Sequence, residues 1–381
     1  MNSRGAFHVL DVSSIPAFEF ARALGALVPT LAWRHQMHWF PVTADYSAAP
    51  SEVIDFPLQR GYANPLLAPL IRFERGLLSR MLTGCETPES SSLVCTAPFF
   101  APLAERWPGP VIYYSLDFTY AYQGLRPRQV LALDRRLCRA ACMVCPVSAR
   151  IADYFIERAA CEPGKIQILP NATRAANVRE TFSDETSALP PALHGLTRPL
   201  AGIIGNLAGN LDWELLQSIV ARTPGFSWAF IGPASMTISG PAQRRARAAL
   251  LGHGGRVRFA GAQPYGSLQQ FARSFDVAIL PYRFGEPTYS GSATRFYEHL
   301  AACRPMLATP NVAELQTKQP LVSLAGDADA FVSKLRELEA AQFRDGQECA
   351  RWIASRHETW EQRAQTMLNS LEGRRKFSEL P

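Results

Sequence analysis

Short apolar runs alternate with longer segments in which apolar residues recur every three to four positions. In the first half of the chain the apolar runs are HVLDVS, TLAWRH, SLVCTAP, VIYYSLD, MVCPVS and KIQILPN. Runs of this kind are typical of parallel strands that are buried on both faces. The intervening segments with helical spacing are AFEFARALGAL, LIRFERGLLSRMLTG, PRQVLALDRRLCRAA and ARIADYFIERAA. Regular alternation of the two patterns predicts an α/β fold built on parallel sheets.

The periodic pattern stops over residues 172–198, which are rich in Ala, Ser, Thr and Pro, and then resumes. The later apolar runs are LAGIIGN, SWAFIGP, RVRFAGA, VAILPY, MLATP and LVSLAG. A chain of 381 residues is also longer than one hydrophobic core usually supports. We therefore predict two Rossmann-like domains, with the following division: an N-terminal domain over 1–175, a linker over 176–198, a C-terminal domain over 199–350 and terminal helices over 351–381.

Composition narrows the classes of function. Hydrophobic residues make up 47% of the chain, which is typical of a folded globular protein. The net charge of +6 fits an anionic substrate or an anionic membrane surface but is too small to indicate nucleic-acid binding. No signal peptide and no apolar span are visible, so we expect a cytoplasmic protein. A basic amphipathic helix with Arg72, Arg75 and Arg80 leaves peripheral contact with the inner face of the cell membrane open.

The segment that follows Tyr282 carries most of the candidate chemistry. An apolar run ends at Tyr282, a polar loop follows, and a helix is predicted to begin near Ser292. Loop amides at a helix N-terminus favour anions, and the guanidinium of Arg295 suits phosphate. Glu298 lies three residues further on, on the same helix face, and can accept from ribose hydroxyls. The pattern predicts a nucleoside-diphosphate site formed by the following residues: Gly291, Ser292, Thr294, Arg295 and Glu298.

This segment resembles the donor-binding signature of GT-B glycosyltransferases. In their large retaining family the signature reads E-F-G-x-x-x-x-E-A-M-A-x-G-x-P-V-I, and Glu298 matches its second Glu. Ser290 stands where the first Glu is expected, and Cys303 replaces the usual Gly. A Ser/Pro-x-Lys-x-x-Glu/Gln pattern, found in bacterial exopolysaccharide transferases of the xanthan glucuronosyltransferase type, is a better match. Arg295 then corresponds to the phosphate-binding Lys, and Glu298 to the Glu/Gln.

The resemblance extends over nearly the whole chain. ILPNAT, LAGIIGNLAGNLDWELL and RVRFAGAQPYGSLQQFARSFDVAILPY are similar to successive segments of these enzymes. It implies the GT-B fold, in which two Rossmann-like domains have their parallel sheets facing a central cleft. The N-terminal domain would bind the acceptor and the C-terminal domain the nucleotide-sugar donor. The terminal helices would cross back to the N-terminal domain.

Further site residues follow from strand ends and from the resemblance. Asp117 ends the run VIYYSLD, and the resemblance implies that it is the general base, although a turn or helix-capping Asp is equally common there. Ser13 and Ser14, in the first loop of the N-terminal domain, would lie on the acceptor side. The remaining candidates are on the donor side: Gly205 and Asn206 in the loop near the diphosphate, and Ala262 and Tyr265 near the base.

These observations predict a hexosyltransferase-type glycosyltransferase. It would transfer a sugar from a nucleotide-diphosphate donor to a glycan or lipid-linked oligosaccharide precursor of cell-surface polysaccharide. We expect no cofactor and no metal, since Arg295 supplies positive charge and the Asp327–Asp329 pair is interpreted as a helix cap. Inverting and retaining transfer are both compatible with the sequence. The alternatives are a nucleotide-sugar epimerase of the same fold and a catalytically inactive relative that binds a partner enzyme.

Overall fold

The chain forms two compact units, each an α/β sandwich around a parallel sheet. The computed structural model describes residues 5–36, 52–57, 69–84, 87–122, 125–234 and 240–378. The first unit comprises Met1–Asn171, Ser290–Ser292 and Trp360–Pro381. The second comprises Ala172–Tyr289 and Ala293–Thr359.

The first unit contains a sheet in which all the described strand pairs are parallel. Its strands are β1 (Phe7–Leu10), β2 (Thr30–Gln36), β3 (Glu52–Pro57), β4 (Ser92–Cys95), β5 (Val111–Ser115) and β6 (Met143–Pro146). They lie in the order β3-β2-β1-β4-β5-β6. The helices are α1 (Ile15–Gly25), α2 (Pro69–Thr83), α3 (Ala101–Ala104), α4 (Pro127–Ala140), α5 (Ala149–Glu157) and the last helix, α13 (Trp360–Ser378).

The boundaries of α1 follow from its sequence. Ser14 is the N-cap, and its side-chain oxygen accepts from the backbone N–H of Ala17 at 3.3 Å. Arg22, in the last turn, donates to Glu361 of α13 at 2.8 Å, and the two helices pack together. The last helix therefore completes the first unit, whereas α12 belongs to the second.

The second unit repeats this architecture. Its strands are β7 (Leu200–Ile204), β8 (Ser227–Ile231), β9 (Val257–Gly261), β10 (Val277–Leu280), β11 (Met306–Ala308) and β12 (Ser323–Leu324). They are parallel and lie in the order β12-β11-β10-β7-β8-β9. The helices are α6 (Trp213–Arg222), α7 (Pro241–Leu251), α8 (Leu268–Ser274), α9 (Thr294–Leu300), α10 (Ala313–Gln316), α11 (Ala328–Ala340) and α12 (Glu348–Ser355).

Apolar side chains of both sheet faces form the core of the second unit. Every residue of β7, β8 and β10 is buried, as expected for strands covered by helices on both sides. Gly202 in β7 leaves the space that the Phe275 ring fills, since a Cβ there would lie 2.1 Å from that ring. Asp327 caps α11 by accepting from the Ala330 N–H at 2.9 Å, so its interpretation as a cap is confirmed.

The predicted strands and helices agree with the structure at most positions, and the main differences concern KIQILPN, β3 and the start of the helix after Tyr282. KIQILPN is not a strand: Ile166 forms only an isolated bridge to Val144, and Pro170 lacks an N–H for a ladder. The strand β3 was missed because its apolar run is interrupted by Asp55, which pairs with Arg34 across the β2–β3 edge. The helix predicted to begin near Ser292 begins at Thr294.

Candidate functional site

Strand order identifies the ligand-binding edge of each sheet. The chain reverses direction across the sheet between β1 and β4 in the first unit and between β7 and β10 in the second. Parallel α/β sheets bind ligands outside the carboxyl ends of their strands at such switch points. In the second unit this edge carries the loops after β7 and β10, which are joined by an isolated bridge between Leu211 and Tyr282. The Asp212 N–H also donates to the Pro281 carbonyl at 2.8 Å.

Arg295 joins the two loops at this edge of the second sheet. Its Nε donates to the carbonyl of Ile204 at 2.7 Å, and its Nη2 donates to the carbonyl of Asn206. Its guanidinium carbon also lies 5.3 Å from the centroid of the Tyr282 ring, after β10. Arg295 is only 7% exposed, so its charge is fixed inside the loop rather than carried on a flexible side chain. Burial and this charge lower the pKa of the neighbouring His299 to about 3, so that imidazole is neutral.

Two glycines allow this close approach. Gly205 has a positive φ of 112°, and a Cβ there would lie 3.0 Å from Nε of Arg295. Gly232, after β8, has a φ of 140°, and its Cβ would lie 2.0 Å from the Gly205 carbonyl oxygen. Both positions therefore require glycine. The structure thus brings together Gly205, Asn206 and Arg295 of the predicted donor-side set.

Glu298 lies in a buried network of hydrogen bonds. Its Oε2 accepts from Thr173 Oγ1 at 3.1 Å and from Asn177 Nδ2 at 3.2 Å. Its Oε1 accepts from the hydroxyl of Tyr265, whose ring lies 4.7 Å from the guanidinium carbon of Arg174. The side chain of Glu298 is 3% exposed, and the network satisfies both of its oxygens.

The N-terminus of α9 already has an acidic partner. The Ala293 N–H donates to Glu314 Oε2 at 2.7 Å, and the Tyr297 hydroxyl donates to the other oxygen of the same carboxylate. Ala293 itself has φ −80° and ψ 82°, outside helical geometry, so α9 begins at Thr294 rather than near Ser292. The role of Thr294 as a phosphate contact stays a prediction.

Gly291 and Ser292 belong to the first unit, not to the second. Ser292 accepts from the Asn171 N–H at 3.0 Å through Oγ, and its carbonyl accepts from Asn171 Nδ2 at 2.9 Å. Ser290, at the position of the first signature Glu, is buried, and its carbonyl accepts from Ser148 Oγ at 2.5 Å. This tripeptide is therefore tied by polar contacts to the segments around residues 148 and 171.

Asp117 follows β5 in the first unit, two residues after the strand ends. It keeps an exposed surface, but the surrounding protein removes enough water to raise the pKa of its carboxyl above the ordinary value. A hydrogen bond with Tyr122 acts in the opposite direction. A carboxylate whose pKa is raised is a stronger base than an ordinary aspartate, which suits a group that accepts a proton.

The other predicted residues have local partners. Ser14 caps α1, and Ser13 donates from its hydroxyl to Asp11 in the same loop. Ala262 is exposed in the loop after β9, and Tyr265 is half-buried with the Arg174 guanidinium over its ring. Their contacts with an acceptor or a base stay predictions.

Sequence reasoning missed four residues of the donor-side cluster: Thr173, Arg174, Asn177 and Glu314. The first three follow the apolar run ILP within seven residues, and such a polar run directly after an apolar one is a signal that could have identified them. Glu314 gave no local signal, since its contact with Ala293 depends on how α10 packs.

No described helix is both long and apolar enough to cross a membrane. The side chains of Arg72 and Arg75 lie outside the described residues, so the predicted basic face of α2 is described only in part. Within the described ranges, no group of three or more His, Cys, Asp or Glu side chains is arranged to hold a metal ion.

Comparison with known proteins identifies the fold. No family model matches the sequence, and no curated protein matches it. The structure of HepE from Anabaena, in complex with UDP-glucose, is similar with a TM-score of 0.69 and 14% identity, over 97% of this chain and 100% of that one. Sucrose-phosphate synthase from Thermosynechococcus elongatus is similar with a TM-score of 0.69 and 16% identity, over 99% and 100% of the two chains.

A third solved structure, the lipopolysaccharide outer core galactosyltransferase WaaB in its apo form, matches with a TM-score of 0.61 and 15% identity. The match covers 98% of this chain and 99% of the WaaB chain. All three matches span both units, and each described unit has the parallel sheet and flanking helices of a Rossmann-like domain. The protein therefore has the GT-B fold of these glycosyltransferases.

Proposed function

We propose that the protein is a glycosyltransferase that uses a nucleoside-diphosphate sugar as its donor. One observation carries this proposal: Arg295 joins the loops after β7 and β10 at the switch point of the second sheet. A buried cation at this edge is suited to a diphosphate. The same fold, over nearly the full length of both chains, has been determined in HepE with UDP and with UDP-glucose.

The diphosphate would be held by electrostatics and by shape. Gly205 and Asn206 lie beside the guanidinium, and the absence of a side chain at Gly205 lets Arg295 pack against the backbone of this loop. Arg295 keeps this loop in one position and adds positive charge, which stabilises a leaving diphosphate without reorganisation. Glu298 would accept from the ribose hydroxyls.

We assign the acceptor side to the first unit. In an inverting reaction Asp117 would remove the proton from an acceptor hydroxyl as that oxygen attacks the anomeric carbon and the nucleoside diphosphate leaves. The raised pKa of Asp117 supports this role. A glycan or lipid-linked oligosaccharide precursor of cell-surface polysaccharide is the acceptor class that the sequence resemblance favours. The similarity in fold to a lipopolysaccharide outer core galactosyltransferase agrees with it.

Calorimetric titration with UDP, GDP, ADP and dTDP tests the donor site. We expect one of these to bind, and the corresponding nucleotide sugar to be hydrolysed slowly in the absence of acceptor. Glu298→Gln should weaken that binding about tenfold, because a hydrogen bond to a charged group contributes about 1.5–3 kcal/mol. Glu348→Gln is the matched control, since Glu348 is a buried carboxylate of the same unit that accepts from the Asp345 N–H at 2.9 Å.

Failure of all four nucleotides to bind would exclude the proposed donor class. Release of an epimerised free sugar, or of an epimerised nucleotide sugar, would favour the epimerase alternative. We also propose that transfer needs no metal, because Arg295 supplies the positive charge. Activity should survive EDTA, and complete loss that is restored by manganese or magnesium would overturn this mechanism.

A further inference from the structure

The two oxygens of Glu298 have partners of different kinds. On the Oε2 side, Thr173 is fully buried and its N–H donates to the Glu358 carbonyl at 3.1 Å. Asn177 is 8% exposed and donates from Nδ2 to Thr173 Oγ1 at 2.9 Å as well as to Glu298. These donors belong to the packed framework of the second unit, so they fix the orientation of the carboxylate.

The Oε1 side has a partner at the surface. Tyr265 begins a short 3₁₀ turn, Tyr265–Ser267, in the loop between β9 and α8. Tyr265 is half-buried, while its neighbours Pro264 and Gly266 are exposed. Its hydroxyl reaches Glu298 Oε1, and its ring is covered by Arg174. Tyr265 is therefore the donor to Glu298 that a ligand arriving from solvent would meet first.

We propose that the Tyr265 hydroxyl occupies the position of a ligand hydroxyl on Glu298 and is displaced when the nucleotide binds. This inference rests on the proposed function, because it takes a ribose hydroxyl as the incoming donor. The exchange replaces one hydroxyl with another on Oε1, so this buried carboxylate oxygen has a hydrogen-bond donor in both states. Leaving that oxygen without a donor would be costly, which is the physical reason for an internal substitute.

The exchange lowers the apparent affinity for the nucleotide. If the site is competent only when Tyr265 has moved away, the apparent affinity equals the intrinsic affinity multiplied by the fraction of molecules in the competent state. Tyr265→Phe removes the competing hydroxyl and leaves Oε1 ready for the ribose. Tyr265 is thus a specificity-determining residue: it makes binding depend on a ligand hydroxyl that can replace its own.

The test measures binding of UDP, GDP, ADP and dTDP by calorimetry to the full-length protein and to Tyr265→Phe. The nucleotide that binds best should bind about tenfold more tightly to the variant, since a competing hydrogen bond of about 1.4 kcal/mol corresponds to a factor of ten. Its 2′,3′-dideoxy analogue and inorganic pyrophosphate should bind equally to both proteins, because neither brings a ribose hydroxyl to Glu298.

A second variant distinguishes displacement of the Tyr265 hydroxyl from a general weakening of the hydrogen-bond network around Glu298. Thr173→Val removes a framework donor to Oε2 and should weaken nucleotide binding, whereas Tyr265→Phe should strengthen it. A network that only maintains structure would weaken binding in both. Tyr297→Phe is the matched control. Tyr297 lies on the same helix as Glu298, but its hydroxyl donates to Glu314 of α10, so its removal should give no tightening.

Unchanged or weaker nucleotide binding by Tyr265→Phe, with the wild-type protein binding normally, would overturn the exchange and leave the proposed function intact. Equal tightening for the dideoxy analogue would also overturn it, because the gain would then not involve the ribose. If neither protein binds any of the four nucleotides, the proposed function fails, and the exchange fails with it.

Discussion

Replacing Arg295 with lysine should destabilise the loop after β7 more than any other part of the second unit. The guanidinium donates to two carbonyls at once, those of Ile204 and Asn206, from a side chain that is only 7% exposed. A lysine ammonium keeps the charge but lacks the planar fork that reaches both acceptors. Arg295→Lys should therefore lose one hydrogen bond from a charged donor, which is about 1.5–3 kcal/mol.

Hydrogen exchange of the loop amides measures this loss directly. The Gly205 N–H donates to the Ile231 carbonyl at 2.9 Å, and the Leu207 N–H donates to the Pro233 carbonyl at 3.0 Å. Both bonds break when the loop opens, so the predicted loss should accelerate exchange at these amides roughly ten- to hundredfold. Nucleotide affinity should also fall in Arg295→Lys, because the loop is held less firmly and the positive charge at position 295 no longer lies where the guanidinium was.

Arg304→Lys provides the matched control. Arg304 is a buried arginine of the same unit that also donates to two carbonyls, those of Phe275 and Asp184. Its replacement should leave exchange at Gly205 and Leu207 unchanged. Equal acceleration in the two variants, or none in Arg295→Lys, would refute the assignment of Arg295 as the residue that holds this loop.

Three further outcomes are expected. Asp117→Asn should lower turnover by about 10²–10⁴-fold with donor affinity preserved, measured on one preparation by product formation and calorimetry; near-normal turnover would remove Asp117 from the mechanism. Burial raises the pKa of Asp134 to about 6, so its neutral form stabilises the fold below about pH 4 and this contribution is lost as pH rises through 6. In urea denaturation, the free energy of unfolding of Asp134→Asn should rise relative to that of wild type by up to roughly 3 kcal/mol as the pH increases from 4 to 7. A difference that does not change with pH would contradict this. Gly232→Ala should lower the melting temperature more than Gly255→Ala, because both have positive φ but only the first Cβ would meet backbone atoms; equal shifts would show that φ alone matters.

The order of strands and helices could be predicted from the sequence because buried parallel strands appear in it as continuous apolar runs. The sequence was also sufficient to place Arg295 and Glu298 on one helix of the second unit, since their spacing is local. It could not show that Arg295 donates to carbonyls about 90 positions earlier, because that contact depends on which strands are neighbours in the sheet. The contact of Glu298 with Thr173 spans 125 positions and was missed for the same reason.

The start of α9 shows a second limit of local patterns. Ser292 fits a helix start by residue type, but its hydroxyl and its carbonyl both accept from Asn171, 121 positions earlier, and α9 begins two residues later at Thr294. The strand β3 was missed because charged residues that pair at a sheet edge, such as Asp55 with Arg34, give a polar sequence pattern typical of a loop. In each case the missing information lies in a partner distant along the chain.

The burial of α9 limits how the site can change during evolution or engineering. Every side chain from Arg295 to Leu300 is buried, so this helix has no solvent-facing side on which substitutions would be tolerated. A new residue there would disturb the loop after β7, the Glu298 network or the core. The loop after β9, with exposed Ala262, Pro264 and Gly266, is much freer to vary. A library aimed at a different ligand preference should therefore diversify 262–266 and leave 295–300 untouched.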